Sequence, residues 1–231
     1  MHSLDPNLLF FGNSVDASEK LAELEQFLEY VSGFLFREAR YLDEKAHPDL
    51  TREFLPLFAD TLPPILHSSI VISTTTLLEQ EMRGYAAALL SSLRSKLKFG
   101  ELSGSVLERF RVVTTKIAGF AFDDFEASWQ DVVGLFEIRN CLVHAGGDLG
   151  GFQKASTIRT FSKKHSTPIF ADDSVEIDLR TSEVALRIAS VFLDHIYNLA
   201  LDRFPGRYAP SFLKPSPRGQ SGDPASDEDA G

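Results

Sequence analysis

The chain has a single cysteine, Cys141, among its 231 residues. No intrachain disulfide can staple it, a pattern that suits a reducing, cytoplasmic compartment. Basic residues are also scarce, with 23 Lys and Arg against 33 Asp and Glu and a net charge of −10. That balance argues against a protein that coats nucleic acid nonspecifically, because phosphate neutralisation dominates such affinity. No apolar run approaches the ~20 residues of a membrane span. The longest candidate, Pro63 to Leu78, is interrupted by His67, Ser68, Ser69 and the Thr74-Thr75-Thr76 run. Met1 to Asn13 lacks a basic start and a long apolar stretch, so no signal peptide and no membrane partner are expected. No glycine-rich phosphate loop follows a strand, and neither Gly-x-Ser-x-Gly nor His-Glu-x-x-His occurs. There is no internal repeat.

What is present is ordinary globular composition, 43% hydrophobic and 24% charged, over a length that suits one domain and a tail. The 19 phenylalanines recur at helical spacing and read as core. Apolar positions follow a helical period almost throughout, which predicts an all-α antiparallel bundle. A first helix is expected over residues 17–46 on the stripe Leu21, Leu24, Leu28, Val31, Leu35 and Leu42, opened by an Asp16/Glu19 capping box and ended by Pro48. A short helix over 50–59 follows. Pro63-Pro64 then opens a long helix reaching about Leu97, whose small Ser and Thr positions permit close approach within the core or against a second subunit. After a loop at 98–104, a helix is expected over 105–118, then one over 125–145 capped by Asp123-Asp124, and another over 152–164. Pro168-Ile169-Phe170 and Val175 to Leu179 predict a small β-hairpin. A last helix runs from Thr181 or Ser182 to Arg203. We divide the chain into an N-terminal segment, 1–15, a helical domain, 16–209, and an acidic tail, 210–231. The tail is rich in Pro, Ser, Gly and Asp and is expected to be disordered, since it cannot bury enough apolar area to offset ordering entropy.

The chemistry gathers at Arg139-Asn140-Cys141-Leu142-Val143-His144, in the last turns of the 125–145 helix, which Gly146-Gly147 stop. Arginine-to-histidine spacing of this kind recurs at Arg40–His47 and Arg159–His165. What sets this occurrence apart is the Asn140 beside the arginine, the apolar Leu142-Val143 and the glycine stop. Residues three, four and seven apart share a helix face, so Glu137, Asn140, Cys141 and His144 form one stripe. Arg139 lies about 140° round from His144, and its long side chain can curl toward the same helix end. Histidine gains and loses its proton near neutral pH, which suits it to proton transfer. The segment that follows carries Lys154, Arg159, Lys163 and Lys164 with no acid, a candidate RNA-contacting face or simply a solvated one. The bland roles are an Arg139 ion pair with Asp131 or Glu137, a packed Cys141, and solvated Glu79 and Glu81. A lone Cys141-x-x-His144 without a second pair is a weak metal signal.

The arginine, polar residue and histidine string resembles the motif of HEPN domains, and residues 50–203 resemble the helical body of such proteins. The resemblance implies a HEPN-like antiparallel bundle that acts as a homodimer, with two motif helices meeting. It implies a metal-independent endoribonuclease with no cofactor. Arg139 would hold the scissile phosphate, His144 would act as acid or base in attack by the RNA 2′-OH, and Asn140 would orient either group. Products would carry 2′,3′-cyclic phosphate ends. A toxin or antiviral effector, governed by a separate antitoxin or regulatory chain, is the biological role it implies. The alternatives are a non-catalytic HEPN interaction or nucleotide-binding module, and a helical adaptor whose acidic tail docks a basic partner.

Overall fold

The computed structural model describes residues 5–121, 126–167, 170–171 and 173–205. It is an all-α bundle of α1 (Pro6–Lys45), α2 (Pro48–Pro56), α3 (Leu62–Ser92), α4 (Val106–Arg111), α5 (Glu126–Ala145), α6 (Ala155–His165) and α7 (Leu179–Arg203). Before α7, the two-residue strands β1 (Phe170–Ala171) and β2 (Ser174–Val175) pair antiparallel, Phe170 with Val175 and Ala171 with Ser174. The second strand is shorter than expected: Asp178 already caps α7, its carboxylate accepting from the Thr181 amide at 2.8 Å and hydroxyl at 2.6 Å.

α1 begins eleven residues before the expected start. Asp5 caps it by accepting from the Asn7 amide at 3.0 Å, and Pro6 takes the first turn. Residues 6–15 are thus part of this helix, and Asp16 is an interior position paired with Lys20 at 2.6 Å rather than a cap. Gly12-Asn13-Ser14 reads locally as a break, but tertiary contacts override it. Phe10 is fully buried between Tyr85 and Phe204, and Asn7 Nδ2 donates to the Phe204 carbonyl at 2.9 Å.

α3 is the central helix, packed against α1, α4, α5 and α7. At one end an aromatic cluster joins five helices: Tyr85 meets Phe10, Phe110 and Tyr197 at centroid distances of 5.4, 5.7 and 5.5 Å, and Phe110 stacks on Trp129 at 6.0 Å. Phe192 closes the cluster from α7. Both buried phenols are satisfied, Tyr85 donating to the Ile196 carbonyl at 2.6 Å and Tyr197 to Glu81 at 2.8 Å. Burial pushes both hydroxyl pKa values well up, and the Glu81 charge adds to the rise at Tyr197. Glu81 is therefore not solvated as expected: it is buried, and Lys20 reaches it at 3.2 Å. Glu79 does lie at the surface, paired with Arg83 at 2.7 Å.

Two helical stretches are widened by a π-turn. At Leu57–Thr61, between α2 and α3, the Leu62 amide returns five residues to Leu57. Pro63 and Pro64 cannot donate to the carbonyls one turn back, and their rings crowd that turn, which favours the wider spacing. At Val112–Ile117, Thr114 and Thr115 hydroxyls donate to the carbonyls of Phe110 and Arg111 at 2.9 and 2.7 Å, loosening the ladder after α4. The expected helices over 50–59 and 105–118 thus exist as short α-helices continued by π-turns. Pro48 opens α2 rather than only ending α1, and α3 ends at Ser92. The expected Asp123-Asp124 cap and the 210–231 tail lie outside the described residues.

The stretches Pro48–Ser92 and Leu179–Arg203 each contain an 18-residue window of mean hydropathy 1.3, which matches a membrane span by length and composition, and 22% and 56% of those windows are buried. In the bundle, both supply core: Ile70, Leu78 and Met82 from one, Ile188, Phe192 and Ile196 from the other.

Candidate functional site

α5 carries the motif, and its placement rests on a glycine. A Cβ at Gly134 would come within 2.5 Å of the Phe161 ring, so only glycine lets α6 cross this close. α6 then lies antiparallel along α5, with Asp131 near the start of α5 binding Lys164 at 2.5 Å and His165 at 3.0 Å at the end of α6. Beyond the motif, Gly146 and Gly147 take φ of +60° and +88° and turn the chain sharply. The Gly147 amide returns to the Cys141 carbonyl at 3.1 Å, and its own carbonyl accepts from Val175 at 2.7 Å. Leu149 donates to Asp173 at 2.8 Å. These backbone bonds fasten the end of the motif helix to the hairpin before α7.

Held this way, the end of α5 and the turn into α6 enclose an open hollow of about 430 Å³. Glu137, Asn140 and His144 line it from one helix stripe, as the three-four spacing requires, and Gly151, Phe152, Gln153 and Lys154 line it from the turn. Arg139 does not line the hollow. Its Nη1 donates to Asn140 Oδ1 at 3.1 Å, which draws the guanidinium toward the stripe. Asn140 thus holds the arginine beside the stripe on which His144 lies one turn later. His144 is exposed, and Arg139 and Asn140 are half-buried. A guanidinium, an amide, an imidazole and the Lys154 ammonium at one helix end can bind a phosphate and exchange protons with it, while the Glu137 carboxylate opposes an anion. Arg139 pairs with neither Asp131 nor Glu137 in the contacts described above.

The basic residues of α6 do not form one patch. Lys154 stands at the hollow. Arg159 pairs with Asp173 at 2.5 Å, and Lys164 is held by Asp131. Asp131 is thirteen residues before His144, about 20 Å along the helix at ~1.5 Å per residue, so Lys164 lies far from the motif end. Lys163 is exposed on the same last turn of α6.

Cys141 leaves the stripe for the core. It is fully buried, with Sγ 3.5 Å from the Asp148 carbonyl, and burial, aided by the Asp148 charge, pushes its thiol pKa up. It is a packing residue and not a nucleophile. Among the described residues, no three His, Cys, Asp or Glu side chains converge as a metal site would need. Phe152 and Gln153 were missed by sequence reasoning. The Gly150-Gly151 pair just before them is the signal that the chain folds back over the helix end. A larger groove of about 1000 Å³ runs between α1 and α7, lined by Leu21, Leu28, Phe36, Val184 and Val191, and none of the motif residues reaches it. Compared with known proteins, the chain matches no protein-family model, no curated protein and no solved structure.

Proposed function

We propose that this protein is a metal-independent endoribonuclease of the HEPN kind, with Arg139, Asn140 and His144 as its catalytic residues. The observation that supports the reading is the Arg139–Asn140 hydrogen bond one turn before an exposed His144, beside Lys154, at an open helix end. In this reading Arg139 binds the scissile phosphate and stabilises the charge that builds on its oxygens. His144 removes the proton of the RNA 2′-OH, whose oxygen attacks phosphorus, or protonates the departing 5′ oxygen. The bond between phosphorus and the 5′ oxygen breaks, leaving a 2′,3′-cyclic phosphate and a 5′-hydroxyl. The nucleophile belongs to the substrate, so the chemistry calls for no metal or cofactor. Asn140 positions Arg139. The reading carries with it a homodimer, a cytoplasmic setting, a toxin or antiviral role and a regulatory or antitoxin chain.

One observation favours a second reading, a non-catalytic binding module. The hollow includes the Glu137 carboxylate and excludes Arg139, a poorer phosphate site than the motif alone suggests. Cleavage of total RNA by purified protein in EDTA decides between them. The ribonuclease reading expects cyclic-phosphate ends from wild type and a loss of at least ~100-fold in Arg139→Ala and His144→Ala, the scale of a lost acid–base group. Equal inertness of all three proteins supports the binding module. Equal cleavage by all three places the activity elsewhere.

A further inference from the structure

α1 leaves Phe27, Tyr30, Phe34 and Tyr41 exposed by 52, 74, 42 and 56%. Their spacing of three, four and seven residues is that of a single heptad seam. At 100° per residue the seam sits about 120° round from Leu21, Leu28, Leu35 and Leu42, the stripe that α1 buries in its own bundle. Phe34 rests edge-on against Phe58 of the first π-turn at 6.2 Å, which continues the surface onto α2. Neither α2 nor that π-turn has a buried residue, and Phe54 and Leu57 are each 37% exposed. Among the described residues, α1 therefore has two apolar faces, of which the Leu21–Leu42 face is buried and the Phe27–Tyr41 face is covered only in part, at Phe34.

We propose that the Phe27–Tyr41 seam is a homodimer interface, with α1 of one copy lying antiparallel to α1 of a second. The surface area fits. Side chains that carry ~150–250 Å² each leave on the order of 450 Å² of ring surface bare on the seam alone. With the neighbouring α2 and π-turn residues this approaches the ~800 Å² per partner of a standard interface. The charges are compatible with it. A two-fold antiparallel pairing centred on Phe34 sets residues 37–45 of one copy against 23–31 of the other, so Lys45 meets Glu23 and Arg40 lies beside Glu29, while Asp43 faces Glu25. Each copy carries −10 overall, which disfavours association by other, less specific contacts. The motif helix is a poorer contact, with Val143 its one large apolar side chain exposed among the described residues. The surface argument does not depend on the ribonuclease reading.

The test is the mass of the full chain in solution by light scattering at micromolar concentration, for wild type, Tyr30→Glu and the control Val191→Glu, which charges an exposed apolar position on α7. The expected result is twice the 25.6 kDa chain mass for wild type and Val191→Glu, and one chain mass for Tyr30→Glu with unchanged helical circular dichroism. A monomeric wild type overturns the proposal, whether another protein or residues 206–231 then cover the seam. So does a dimer that Val191→Glu or Val143→Glu breaks and Tyr30→Glu does not. Should Tyr30→Glu fail to fold, Phe34→Cys gives a second readout: it sits at the middle of the seam, where a two-fold antiparallel pairing brings a residue against its own copy, so with Cys141 buried, mild oxidation joins two copies covalently if the seams meet, and an uncrosslinked product overturns the interface.

Discussion

The body of the bundle and the arm formed by the end of α1, α2 and the first π-turn are built from similar residues and packed in opposite ways. In the body, phenylalanines such as Phe10, Phe110 and Phe192 are fully buried and touch ring to ring. In the arm, Phe36 is 69% and Phe54 37% exposed, and α2 buries nothing. The motif end of α5 is a third arrangement, exposed yet fixed, because its groups are polar and backbone bonds to the hairpin hold it. Exposed polar chemistry at a helix end costs little free energy. Exposed aromatic surface of this extent is unfavourable until something covers it.

The sharpest way to break the body–arm comparison is to truncate one ring in each. Phe110→Ala should cost about 3–5 kcal/mol, the range for a fully buried aromatic, whereas Phe36→Ala should stay within about 0.5 kcal/mol. Equal losses in urea denaturation would mean that the arm is as tightly packed as the body. A smaller effect measures packing within the body. Gly134→Ala should destabilise by about 1–3 kcal/mol, because the Phe161 ring must move. Gly84→Ala, with nothing within 4 Å of its added methyl, should stabilise α3 by about 0.5–1 kcal/mol. If both stabilise, α6 is not seated against α5 as closely as the structure has it.

The smallest expected effect lies where α3 meets α7. His67 is buried, its Nδ1 has no hydrogen-bond partner, and burial lowers its pKa despite the opposing pull of Asp178. The unfolded chain then binds a proton that the folded one refuses. Stability is therefore full above about pH 6.5 and falls as the pH drops below it toward the folded value. His67→Gln removes this component, so its stability should fall less steeply with acid between about pH 6.5 and 5 than that of wild type. Parallel slopes would show that the imidazole is already wetted in the folded state.

Much of this was legible in the sequence. The long Pro-opened α3, the motif helix closed by Gly146-Gly147 and the last helix to Arg203 were written in proline placement, glycine stops and a three-four apolar period, all local signals. The common stripe of Glu137, Asn140 and His144 followed from helix geometry alone. The start of α1 was not legible, because Phe10 and Asn7 draw their reason from Tyr85 and Phe204, which are remote in the chain. Nor was the burial of Glu81, decided by Lys20 and Tyr197 arriving from two other helices. The basic run after the motif looked like one patch because sequence adjacency hides an antiparallel turn that carries Lys164 away from His144 and leaves Lys154 beside it. The sequence by itself determined the bodies of the helices, though not where α1 begins or α3 ends, and which residues share a helix face, since both depend on neighbours within a turn or two. Tertiary structure alone decided which of those faces is covered, which charges meet, and that Phe27, Tyr30, Phe34 and Tyr41 of α1 stay exposed among the described residues.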